Sequence, residues 1–101
     1  LYSKKENGII SNNYLLTIHN TQDKDYTFDI RLLENKDFKI KRFDSFELKA
    51  GEKTKKILIL ETIDDFEKLE KKPSKISIEI FTKENEKVKL SRQIAFFYPK
   101  N

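Results

Sequence analysis

Apolar side chains recur at every second position along most of this chain, a period that fits half-buried β-strands and little else. Tyr14, Leu16 and Ile18 alternate with Leu15, Thr17 and His19, then stop at Asn20-Thr21-Gln22-Asp23. Tyr26, Phe28, Ile30 and Leu32 alternate with Thr27, Asp29, Arg31 and Leu33, and stop at Glu34-Asn35-Lys36-Asp37. Phe38 and Ile40 follow, with Lys39 and Lys41 on the other face. Asn and Asp bind nearby backbone groups and tolerate turn conformations, so each run reads as a strand bounded by turns.

The second half continues the pattern. Phe46 and Leu48 lead into Ala50-Gly51-Glu52, where Gly51 suits a left-handed turn position. Ile57 to Leu60 is apolar on both faces, which predicts a central strand or one covered on both sides. Ile76, Ile78 and Ile80 alternate with Ser77, Glu79 and Phe81, and Glu84-Asn85-Glu86 is a turn. Val88, Leu90, Ile94 and Phe96 make the last strand. Arg92 falls on its inward parity, which predicts a bulge nearby or a side chain that snorkels out.

One segment breaks the period. Ile63, Phe66 and Leu69 are three apart, with Asp64 and Asp65 before them and Lys71, Lys72 and Pro73 after. Acid first and base last suits a helix dipole, so a short helical connector is expected near 63–72, packed across the end of a sheet. Asp64 and Asp65 then read as cap and dipole partner rather than as an acid/base pair. About seven short strands argue for an all-β antiparallel sandwich. The rival five-stranded barrel would use fewer strands and more interior glycine.

Composition bounds the chemistry. Leu, Ile, Val and Phe supply 31 of the 101 residues, enough for one domain's core and too little chain for two. With no Cys, no Met and one His, the chain lacks a thiolate nucleophile, a disulfide and the soft ligands of transition-metal sites. His19, the single imidazole, falls on a polar strand face with no companion to complete a site. There is no Gly-rich phosphate loop and no Ser/His/Asp spacing, so the segment does not read as an enzyme. The net charge of +4 comes from 18 Lys and 3 Arg against 17 acids. Base and phosphate recognition favour Arg, and the lysines here are interleaved with acids, as in Glu67-Lys68-Leu69-Glu70-Lys71-Lys72. That is the pattern of a solvated surface, not of a nucleic-acid site. The longest apolar run is five residues, Ile94 to Tyr98, far short of a membrane span. The opening Leu1-Tyr2-Ser3-Lys4-Lys5 has neither Met nor an apolar signal segment, which points to a piece of a longer chain. Tyr2, Phe97 and Tyr98 are aromatics near the ends, suited to closing a sheet edge or anchoring an interface.

Residues 8–20 follow the pattern G-x-I-x-N-x-Y-x-L-x-I-x-N, fixed by Gly8, Ile10, Asn12, Tyr14, Leu16, Ile18 and Asn20. This resembles the opening of the C-terminal immunoglobulin-like domain of the FixG/CcoG family of cytochrome c oxidase accessory proteins. Ala50, Gly51 and Glu52 resemble that domain's Ala-Gly-Glu turn, Ile76 to Ile80 its penultimate strand, and Phe96 with Pro99 its closing Phe-x-x-Pro. The family's glycine after the second strand pair is replaced here by Leu33-Glu34-Asn35, where Asn35 can adopt a positive φ. Physically, Tyr14, Leu16 and Ile18 are core positions, Asn7-Gly8 is a tight turn, and Asn12 and Asn20 bracket a strand and bind turn backbone. These positions specify a fold rather than a reaction.

The resemblance implies that residues 1–101 form a single immunoglobulin-like domain at the C-terminus of an inner-membrane protein. The parent would cross the membrane with its own helices and carry two four-iron clusters in a Cys-bearing part. No cluster Cys lies in this segment, which should hold no cofactor. The parents of this family are implied in assembly of cbb-type oxidase and reduction of its copper. The domain itself is expected at the periplasmic face of the bacterial inner membrane, as a non-catalytic module for a protein partner such as an oxidase subunit or copper-handling protein. Lys4 and Lys5 are a small vote for the other side, which long domains override. Two further readings stay open from sequence: an adhesin- or chaperone-like sandwich of an unrelated surface protein, and a Lys-rich barrel binding single strands through Phe and Tyr.

Overall fold

The alternating runs become strands, and the strands sort into two antiparallel layers. The computed structural model describes residues 2–33 and 35–100; Leu1, Glu34 and Asn101 lie outside the described residues, and with Glu34 part of the Leu33-Glu34-Asn35 turn. The strands are β1 (Tyr2–Lys4), β2 (Ile10–His19), β3 (Tyr26–Leu32), β4 (Phe38–Arg42), β5 (Phe46–Leu48), β6 (Lys53–Thr62), β7 (Lys75–Thr82) and β8 (Lys89–Ala95). One sheet has the order β1-β2-β6-β4 and the other β5-β3-β7-β8. Two separate open sheets make a sandwich and exclude the closed barrel.

The inward parity of each strand builds the core. Ile10, Leu58 and Leu60 from the first sheet meet Ile30, Ile76 and Ile78 from the second, with Phe38 and Phe96 between them. A second group, Ile18, Tyr26, Phe28 and Leu48, fills the far end. Tyr14 and Leu16 are half-buried against these groups. The apolar run Ile57 to Leu60 lies in β6, a central strand as expected, but its outer face is uncovered: Ile57 is 49% exposed.

The structure corrects the connector, decides between the two alternatives at Arg92, and adds a strand at the start of the chain. The connector near 63–72 holds only a three-residue 3-10 turn, Phe66–Lys68. Asp65 caps it by accepting from Glu67 N at 3.0 Å, and Leu69 returns to extended backbone at once. So short a segment gains too little from helical bonds to continue, and burial of Phe66 fixes it instead. No bulge lies near Arg92, because the β7–β8 register is regular; the register shift is in β4–β6, between Ile40 and Arg42. Arg92 takes the other course and is exposed. Strand β1 went unseen in the sequence because all three of its residues are exposed, leaving no alternation to read.

Both glycines hold left-handed turns, with φ of 81° at each. Gly8 closes the β1–β2 hairpin, donating to Lys5 O at 2.9 Å. It also lies under the connector, where an added Cβ would fall 2.2 Å from Asp65 Oδ1, whereas Gly51 faces open space. Gly51→Ala should therefore cost only the conformational term of about 1–2 kcal/mol, and Gly8→Ala distinctly more. Urea denaturation of the two variants checks the order, and equal losses would mean the close approach at Gly8 carries no weight.

Candidate functional site

Two buried asparagines anchor opposite ends of the sandwich. Asn12 is 1% exposed inside β2, where its side-chain amide donates to Phe97 O at 3.0 Å and its carbonyl accepts from Phe97 N at 2.9 Å. Both hydrogen-bonding groups of one residue are thus satisfied by a side chain 85 positions away. This differs from the expectation that Asn12 brackets a strand and binds a local turn. The tail it holds places Phe96 edge-on to Phe38, with centroids 4.9 Å apart, and beside Tyr98 at 5.1 Å. Tyr14 donates its hydroxyl to Ala95 O at 2.6 Å, and Tyr98 to Pro73 O at 2.9 Å. Burial raises the Tyr14 hydroxyl's pKa far above the ordinary value, with a smaller push from Tyr98. Burial, then the Asp37 charge, pushes Tyr98 up to about 12. Both phenols remain donors throughout the physiological range. Pro99 is half-buried at the end of this segment, while the Phe97 ring is 50% exposed and Tyr2 43%.

Asn20 is fully buried and does bind turn backbone. Its amide donates to Lys24 O at 2.8 Å and Leu48 O at 3.0 Å, and its carbonyl accepts from Gln22 N at 3.0 Å. The Ala50-Gly51-Glu52 turn docks against it: Asn20 N donates to Glu52 O at 2.8 Å, and Gly51 N to Asn20 O at 2.9 Å. Ala50 N donates to Asp25 Oδ1 and Glu52 Oε1 accepts from Lys49 N, so the turn is held from both sides. His19 Nε2 lies 3.1 Å from Gly51 O on the exposed face. The structure thus gathers Asn20 with Ala50, Gly51 and Glu52 at one end, and Asn12 and Tyr14 with Phe96 and Pro99 at the other. Leu16 and Ile18 pack between them, Ile10 packs with Phe38 and Phe96 beyond Asn12, and Gly8 closes the hairpin.

One buried charge had no signal in the sequence. Glu61, 5% exposed, lies on the outer face of the first sheet. Ser11 Oγ donates to it at 3.1 Å, and Lys5, Lys39 and Lys41 ring it at 3.5, 3.4 and 3.9 Å. Burial pushes its carboxyl up, but the bonds from Ser11 and Lys39 and the nearby Lys5 charge outweigh that and hold it below its ordinary value. On the second sheet Arg31 pairs with Glu79 across β3–β7, Nε to Oε1 at 2.7 Å, and stacks on Phe81.

These motif residues hold backbone and core together; no reacting group is among them. Among the described residues no three His, Cys, Asp or Glu side chains converge as a metal site. With no Cys at all, the chain itself supplies no thiolate ligand for an iron–sulfur cluster. A model of the family described as the "IG-like fold at C-terminal of FixG" matches residues 1–99. The chain belongs to this FixG C-terminal family. No curated protein matches. Among solved structures, the chain is similar to a FixG-related protein from Vibrio parahaemolyticus, known from a crystal structure, at 17% identity and a TM-score of 0.65. That match covers 95% of this chain and 89% of the other. At that identity the likeness speaks to the fold alone. The resemblance of residues 8–20, 50–52 and 96–99 to the family agrees with both findings.

A groove of about 590 Å³ lies between β2 and β8 of this FixG-family domain. Its floor includes Leu16, Ile18, Ile78, Ile80 and Val88, and its rim Thr17, His19, Lys89 and Arg92. Leu90 and Arg92 pair across the ladder with the inward residues Ile80 and Ile78, yet Leu90 is 49% exposed. Among the described residues, β1 pairs with Ile10, Ser11 and Asn12 of β2.

Removing the clamp at either end should be expensive. Asn12→Ala leaves both Phe97 backbone groups unpaired, and Asn20→Ala orphans three; each should lose about 2–5 kcal/mol, read from urea midpoints. A loss under about 0.5 kcal/mol would show that water replaces the side chain. For Glu61 the folded pKa lies below the unfolded one, so its stabilisation is present at neutral pH and is lost as pH falls through the folded value. Wild type should therefore lose thermal midpoint more steeply than Glu61→Gln between about pH 5 and pH 3. Parallel curves would remove Glu61 from the acid response.

Proposed function

We propose that this domain is a non-catalytic interaction module at the periplasmic face of a FixG/CcoG-like inner-membrane protein. The parent's redox chemistry, its two four-iron clusters and its membrane helices belong to other parts of the longer polypeptide, and this segment positions a partner. The partner is an oxidase subunit or a copper-handling protein, and the parent serves assembly of cbb-type cytochrome c oxidase and reduction of its copper. One observation carries the reading: the family match spans residues 1–99, and the motif residues within it are used in clamps, turns and core. A domain built that way has its flanks, not a reaction centre, available for function.

Deleting residues 1–101 from the parent should abolish co-purification with the partner and lower oxidase assembly, while cluster content of the parent is kept. Undiminished partner association and assembly would sink the proposal. A protease added outside the inner membrane should cleave the domain in spheroplasts, and resistance there would overturn the periplasmic placement.

A further inference from the structure

Lysines that are interleaved with acids along the sequence are sorted from them on the first sheet. Residues opposite each other in a ladder share a face, so the register fixes which side chains of β2, β4 and β6 point away from the core. Lys53 and Lys55 point outward at one end of β6, Arg42 stands opposite the outward Ile59, and Lys39 opposite Glu61. Lys5 and Lys41 reach the same Glu61 from the hairpin and from β4. Among the described residues, Glu61 is the one acid at an outward strand position of this sheet, and it is buried beneath its lysines. Six of the 21 basic side chains and one of the 17 acidic ones belong to this face, an excess larger than the chain's whole net charge of +4. Arg42, Lys53 and Lys55 make no ion pair among the described residues. The outer face of the second sheet is built the other way, with Arg31 paired to Glu79 and Lys83 to Asp29.

Apolar surface lies in the middle of this charge. Leu15 and Ile57 stand opposite each other, 63% and 49% exposed, with Ile59 at the next outward position of β6. Strand pairing at either edge of the sheet lies in its plane and does not cover this face. The side-chain types favour one occupant. Protein interfaces are enriched in aromatics and Arg and depleted in Lys, and single-stranded nucleic acid is held by aromatic stacking. Among the described residues no aromatic occupies an outward strand position of this sheet, and only one of the six cations is Arg. Aliphatic side chains bordered by lysine suit an anionic lipid surface. The aliphatics enter the acyl boundary, while lysine stems lie along apolar surface and hold their ammonium groups among the headgroups. We propose that the outer face of the first sheet docks on a bilayer surface that contains anionic phospholipid, with Leu15 and Ile57 entering the interface and Lys39, Lys41, Lys53 and Lys55 meeting lipid phosphate. The inference goes beyond the partner reading and does not depend on it.

The test floats the 101-residue chain with vesicles of phosphatidylcholine alone or mixed with phosphatidylglycerol. The chain should partition onto the mixed vesicles and not onto the neutral ones, and added salt should weaken the binding. Each lysine brought to such a surface strengthens partitioning about fivefold, so the double variant Lys53→Glu/Lys55→Glu should lose roughly tenfold or more. Lys71→Glu/Lys72→Glu makes the same change of net charge on the exposed connector and should lose far less. Leu15→Ala/Ile57→Ala, at exposed positions, should also lose roughly tenfold; the fold of each variant is checked by its thermal midpoint. A nitroxide on the lipid acyl chains gives a readout that needs no variant. It should broaden the resonances of Leu15 and Ile57 in the labelled chain more than those of Arg31 and Glu79 on the other sheet. Absence of partitioning onto the mixed vesicles, equal losses from the two charge reversals, or broadening that favours the second sheet would overturn the proposal. Full binding by Leu15→Ala/Ile57→Ala would overturn it as well, since the face would then read charge alone, as an acidic protein presents it.

Discussion

The paired hydrogen bonds between Asn12 and Phe97 are the constraint on which one end of the sandwich depends. A sandwich gains most of its stability from apolar contact between its sheets, but such contact is non-directional and leaves the sheets free to slide. Asn12 removes that freedom by fixing a backbone position in the tail to a position in the first sheet, at 2.9 and 3.0 Å. The Tyr14 hydroxyl adds a third bond, to Ala95 O. With the tail fixed, Phe96 can sit edge-on to Phe38 and Tyr98 can reach Pro73. The polar side chains are therefore what place the apolar ones.

Asn20 does the corresponding work at the other end by a different route. Its side chain joins the turn after β2 to Leu48, while its backbone is bonded to Gly51 and Glu52. The two ends of β2 are thereby held to separate parts of the chain, 85 and 28 positions away. Contacts so distant in sequence make loop closure costly before they are formed. Full burial with every hydrogen-bonding group used is what makes them worthwhile once formed, since a buried amide left unpaired is far more costly than a paired one is favourable.

Much of the fold was legible because burial on one face imposes a period of two. Wherever the inner face was filled by Ile, Leu or Phe, as in β3 and β7, strand and parity could be read directly. The limits have physical causes. The ends of β2 and β6 are polar, and Asn12, Thr62 and Lys56 occupy inward parity there. Each is accommodated by a specific partner: Phe97 for Asn12, Ile10 N for Thr62, and the face of Phe46 for the Lys56 ammonium at 4.7 Å. Such partners are not visible in a local window. Asn12 was recognisable as important from its place in the 8–20 pattern, but its role needed the tail brought beside it. Glu61 had no signal, because the lysines that hold it come from elsewhere in the same sheet, Lys5 from the β1–β2 hairpin and Lys39 and Lys41 from β4. The connector was misread for the converse reason: a spacing of three that suited a helix arose from two residues, Phe66 and Leu69, each packing against the core on its own.

The placement of charge divides the outer face of the first sheet. Three lysines crowd around Glu61 near the β1–β2 hairpin. Farther along β2 and β6, Leu15 and Ile57 stand directly opposite each other, 63% and 49% exposed. An apolar cross-strand pair adds contact along the ladder even on a solvated face, whereas a buried carboxylate is tolerated only where cations and hydrogen bonds compensate its lost hydration. The outer face of this sheet is therefore held by two different devices, charge at one end and apolar contact toward the other, and only the second is visible as a local pattern in the sequence.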